Sequence, residues 1–169
     1  MENKSSQLIL HKLSIPLKVL ATCLIASLLV GYLVAIFQIY GRTHFDVTET
    51  TRYYRGEKAE TEEASLPPQS LATMISVSHV HTFSQPVMLA LVGFLFALSY
   101  ASSQAKVIFI TLSFVASLVS NASPWLIRFV SPACVILLPI SQMVLMLTFF
   151  IMAFVILHHL WGYKEEDFC

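Results

Sequence analysis

The chain has 169 residues, no formal net charge, 56% hydrophobic residues and only 12% charged ones, with a mean hydropathy of +0.73. Soluble domains use about 45–50% apolar residues, so this composition describes an integral membrane protein, a single domain with no room for a soluble catalytic domain beside its spans. Zero net charge offers nothing to nucleic acid, and three cysteines, odd in number and far apart at Cys23, Cys134 and Cys169, make no disulfide framework.

The expected fold class is an all-α integral membrane protein: a four-transmembrane-helix bundle with one polar extracytoplasmic loop. The first span covers about 15–40. Its apolar run from Val19 to Tyr40 exceeds the roughly 7–15 residues of a signal-peptide core, so it reads as an uncleaved anchor. Pro16 suits a first helical turn. Ser27, Gly31 and Ala35 recur at every fourth position, a seam of small residues that lets another helix approach.

The polar loop, 41–78, reads as a hairpin-like soluble segment packed on the helix ends, with an acidic run Glu60, Glu62 and Glu63 as a solvated face. Pro67-Pro68 before Gln69-Ser70-Leu71 marks a helix start. The second span is expected over about 79–103. His79 and His81 then sit at the water–lipid boundary, and Pro86 is expected to kink the helix near them. Ala90, Gly93, Ala97 and Ala101 give this span a small face.

A tight turn with Lys106 leads to a third span, about 107–122, whose Ser113, Ser117 and Ser120 suit hydrogen bonding between helices. Asn121 to Pro132 reads as an interfacial hook, with Trp125 at headgroup level and Arg128 snorkelling. The fourth span covers about 133–161, with Gln142 and Thr148 as internal polar groups. His158, His159, Trp161 and Tyr163 are expected at the opposite interface.

Lys4, Lys12, Lys18, Lys106 and Lys164 hug the spans on one side. Arg42, Arg52, Arg55, Lys58 and Arg128 lie on the other, partly deep in the loop. The positive-inside rule then puts both termini in the cytoplasm of a bacterial inner (cell) membrane, and the loop with its histidines outside.

Three segments carry a resemblance: Tyr54-Arg55-Gly56-Glu57, the pair His79-Val-His81 before a Leu-Phe-Ala-Leu span, and Pro124-Trp125-Leu126-Ile127-Arg128. On these the chain resembles an uncharacterised family of bacterial four-helix inner-membrane proteins. The resemblance implies the topology and directs attention to the histidines, and it supplies no substrate or cofactor.

The candidate site is therefore His79, His81 and His44, with Asp46, Glu49 and Met74 as weaker partners. Imidazoles suit copper, zinc or haem iron. Two residues apart, His79 and His81 diverge by about 200° in a regular helix. They can share one metal only in an extended or distorted segment; otherwise one faces the bundle and one the loop. The competing readings are ordinary headgroup hydrogen bonding and a proton-handling or quinone-adjacent role.

Two functions are expected on this basis. One is a small subunit binding haem b or a transition metal in an electron-transfer assembly, partnered by membrane or periplasmic redox proteins. The other is a cofactor-free structural or assembly subunit of a larger complex. No phosphate loop, nucleophile–base constellation or Cys-x-x-Cys motif marks an enzyme acting on its own. The polar groups within the spans are too few and too mild for a transport path.

Overall fold

Four helices long and apolar enough to cross a membrane dominate the computed structural model, which describes residues 10–57 and 66–162. Lys4, Lys58, the run Glu60, Glu62 and Glu63, Tyr163, Lys164 and Cys169 lie outside the described residues. Among those described there is no strand, only an antiparallel bridge between Glu57 and Leu66. The expected all-helical, four-span membrane fold is what the chain adopts.

Helix α1, Ile15–Thr43, starts with a proline in its first turn, where the missing N–H is no loss. It ends where His44 turns left-handed and its N–H caps the Tyr40 carbonyl at 2.8 Å. Phe45 also has a positive φ of 59°. Two consecutive side-chain-bearing residues in that region cost about 1–3 kcal/mol each, offset here by Asp46 N–H bonding the Thr43 carbonyl at 2.7 Å.

Asp46 then caps helix α2, Val47–Arg55, accepting from Glu49 N–H at 2.8 Å. This helix stands where the sequence suggested a hairpin-like segment. It closes at Gly56, whose φ of +73° and whose approach to Leu66 O and Pro68 N leave no space for a Cβ. Arg52 gathers Glu49 at 2.7 Å and also Glu57, so α2 carries its own charge balance.

Helix α3, Leu71–Ala97, is capped by Ser70 accepting from Thr73 N–H at 3.1 Å. It therefore begins eight residues before the expected span and runs unbroken through Pro86. Helix α4, Ser103–Phe129, is capped by Ser102. It continues through Pro124, so the expected hook is helix. Pro124 removes a single backbone donor near the end of a long element, which a helix tolerates better there than at its centre. A 3-10 turn, Pro132–Ile136, leads into helix α5, Leu137–Leu157, and a π-helical turn, His158–Gly162, finishes the described chain.

Helices α4 and α5 form the central pair, and α3 packs on both. Helix α1 touches the bundle mainly through its first half, where Ala21 and Ile25 meet Val92, Phe96, Phe149, Met152 and Ile156. Tyr32 stacks on Phe149 with centroids 4.6 Å apart. In lipid, apolar side chains gain little by leaving solvent, so close packing and hydrogen bonds between helices hold such a bundle together. Gly93 supplies one close approach: a Cβ there would lie 3.5 Å from Ile110.

Depth follows from length. The 27 residues of α3 extend about 40 Å at roughly 1.5 Å per residue, against a hydrocarbon core of about 30 Å. The tight turn at Tyr100 fixes one end at the boundary, so the excess falls in the first turns of α3, just before the histidines.

Candidate functional site

His79 and His81 lie in the third turn of α3, which is regular helix there. The branch in which both ligate one ion from an extended segment is thereby closed, because the Ser70 cap starts the helix early enough to include them. Helical geometry sets them about 200° apart. His79 lies on a flank of α3 turned away from Met74 and Gln85, with its ring 5.0 Å from Phe83, and both histidines are exposed. His81 lies on the bundle side of the helix.

His44 belongs to another element, at the end of α1, exposed and edge-on to Tyr40 at 5.2 Å. Among the described residues no three His, Cys, Asp or Glu side chains gather as a metal-binding group. The weaker candidates are otherwise engaged: Asp46 caps α2, Glu49 pairs with Arg52, and Met74 is buried in the helix contact.

What His81 joins is a polar ladder between α3 and α4. Gln85 Oε1 accepts from Ser117 Oγ and from Asn121 Nδ2, both at 2.8 Å. About two turns along α3 from Gln85, Trp125 Nε1 donates to Ser78 Oγ at 2.7 Å, which sets an indole at the same boundary. The Gln85 amide nitrogen, left over, reaches His81 Nδ1 at 3.5 Å, long enough to orient the ring more than to bind it. With the amide as donor, Nδ1 is the accepting nitrogen of this contact and Nε2 points away from it. Of the expected serines, Ser117 bonds across helices, while Ser113 bonds the Ile110 carbonyl of its own helix.

Beneath α2 lies a half-open cavity of about 110 Å³. Its walls are the last turn of α1, the strained turn at Phe45, the inner face of α2 and the start of α5. Tyr54 packs on Ile127, Val135 and Leu138 and meets Tyr53 edge-on at 5.0 Å. Burial pushes the Tyr54 phenol up to about 12, Tyr53 adds to this and Arg42 opposes it. The Arg42 guanidinium lies 5.8 Å over the Tyr53 ring, and Gln69 Nε2 donates to the Tyr53 hydroxyl at 3.3 Å. Arg55 ties α2 to α4 by donating to the Ile127 carbonyl at 3.0 Å.

Sequence reasoning passed over most of this cavity. Gln38 and Gln142, single amides one to two turns inside apolar spans, were the available signal; the left-handed turn that brings α2 back over them has no clear sequence mark.

At the opposite membrane face, His159 was expected as interfacial decoration and is instead completely buried. The face Leu145, Phe149, Met152, Ile156 continues at helical spacing to His159 and Leu160, and that periodicity foretells its burial. Tyr100 meets it edge-on at 5.4 Å, His158 stays exposed against Phe154, and Trp161 donates to Thr22 Oγ1 at 3.0 Å beneath Lys18.

A family model described as a transmembrane helical domain, Aq_1264_TM, matches residues 44–167, beginning just after α1. No curated protein and no solved structure matches the chain.

Proposed function

The chain belongs to the Aq_1264_TM family of transmembrane helical domains, and from that premise we propose that it is a cofactor-free structural or assembly subunit. It docks to a larger membrane complex through the outward face of α3. One observation carries this reading: Ser76 and His79 lie on the side of α3 that no helix of this chain covers. At His79, where α3 enters the hydrocarbon, a polar group is costly when it faces lipid, and a partner helix bearing hydrogen-bonding groups relieves that cost and meets Ser76 a turn above. The small residues Ser27, Gly31 and Ala35 support the same reading, since all three are exposed and a Cβ added at Gly31 meets nothing within 4 Å.

The membrane in this reading is a bacterial inner membrane with both termini cytoplasmic. Charge supports the orientation: Lys12, Lys18 and Lys106 lie at the ends of spans on one face. On the other face Arg52 and Arg55 lie in α2, away from the span ends. Mild-detergent purification tests docking. The wild type is expected in a complex heavier than the 18.9 kDa chain, and Ser76→Leu with His79→Leu is expected to release the chain alone. A wild type that runs alone contradicts the reading.

A second reading is an electron-transfer subunit holding haem b, copper or zinc through His79, His81 or His44. The exposed His79 ring supports it, as one ligand of a centre completed by a redox partner. An oxidised and dithionite-reduced spectrum, with metal analysis, separates the two. A cofactor lost in His79→Ala and His81→Ala favours this second reading, and a cofactor retained in both removes it.

A further inference from the structure

We propose that the cavity under α2 binds the phosphodiester head of a zwitterionic phospholipid, an aminated head of the phosphatidylethanolamine type. The inference is independent of what docks on α3.

The cavity is built for a small polar group on an apolar base. Four side chains at its wall, Gln38, Arg42, Tyr54 and Gln142, make no hydrogen bond or ion pair to any described residue. Val135, Leu138 and Pro139 form the base. Gln38 and Arg42 are exposed, but Tyr54 and Gln142 are half-buried, and polar groups at membrane depth ordinarily find partners within the protein, so these two beside Arg42 on one hollow point to a ligand.

Charge narrows the class. Arg42 and Asp46 both line the cavity, one guanidinium and one carboxylate, so the site is balanced. A phosphate on Arg42 and the Tyr54 hydroxyl, with an ammonium toward Asp46 Oδ2, the carboxylate oxygen that does not cap α2, matches both; charge-assisted bonds of this kind are the strong ones. Position favours a lipid over a free ion. Phe45, which lines the cavity, and Tyr40, 5.6 Å from it, are 61% and 52% exposed, aromatic side chains of the kind that mark headgroup depth. Above Tyr32, α1 exposes Val34 as well, giving acyl chains an apolar surface to follow.

The test uses the delipidated full chain in detergent, read by native mass spectrometry. Dioctanoyl-phosphatidylethanolamine is expected to bind as one equivalent. Dioctanoylglycerol, which lacks the phosphate, and inorganic phosphate, which lacks the chains, are expected not to bind at the same concentration. Dioctanoyl-phosphatidylglycerol is expected to bind several-fold more weakly. Arg42→Gln is expected to weaken the first lipid about tenfold and Tyr54→Phe several-fold, with helical content by circular dichroism unchanged. Unchanged binding in both variants overturns the site. Equal binding of dioctanoylglycerol overturns the phosphate contact, binding of phosphate alone overturns the lipid, and equal affinity for the two phospholipids overturns the zwitterionic assignment.

Discussion

The Tyr54 phenol links the docking of α2 to alkaline pH. Its folded-state value of about 12 lies above the ordinary tyrosine value near 10, because burial disfavours the phenolate. The stabilisation is therefore fully present below about pH 10 and is lost as the pH rises from there toward 12. A difference titration of tyrosinate absorbance between wild type and Tyr54→Phe is expected to isolate one late-ionising phenol. A missing tyrosine that titrates near 10 contradicts the packing described. At this scale the sequence was a poor guide. His79 and His81 stood out because histidine is rare in a span, yet what distinguishes them is which side of α3 each occupies. His159 and Tyr54 drew less notice and are better enclosed.

At the scale of elements, the ladder between α3 and α4 has a measurable weight. Gln85→Ala leaves the Ser117 hydroxyl and the Asn121 amide without their shared acceptor. Hydrogen bonds between membrane helices are worth about 0.6 and up to about 2 kcal/mol. Reversible unfolding in mixed detergent is expected to show a loss within that range, and a double-mutant cycle with Ser117→Ala to show coupling; a cycle that closes at zero denies the ladder its role. The spans themselves were legible from their apolar length, and the serines of α4 pointed correctly to a helix contact at Ser117. The boundaries were less so. Ser70 starts α3 earlier than hydropathy alone suggests, since hydropathy does not register a cap, and Pro124 lies where a helix can lose one donor without ending. Helix α2 was hidden for another reason: it is only nine residues long and polar on average, its inward face is Val47, Thr50 and Tyr54, and its docking rests on Tyr54 and Arg55.

At the scale of the molecule, the described chain is a central pair of helices with α3 on one flank and α1 attached along half its length. The family match starts at His44, so the family's domain is α2 to α5 with α1 outside it. Among the described residues, the small-residue seam of α1 and the Ser76–His79 face of α3 are both left uncovered. In the proposed assembly the Ser76–His79 face is covered in the membrane by another protein. The most direct measurement places a photo-crosslinking residue in living cells at position 76 or 79, and at Leu118, an apolar position on α4 that is 66% exposed, as the lipid-facing control. Protein adducts of one defined mass from 76 and 79, abolished by Phe83→Ala with Ala90→Phe on the same face and absent from 118, are the predicted result. Lipid adducts alone from all three positions would contradict it.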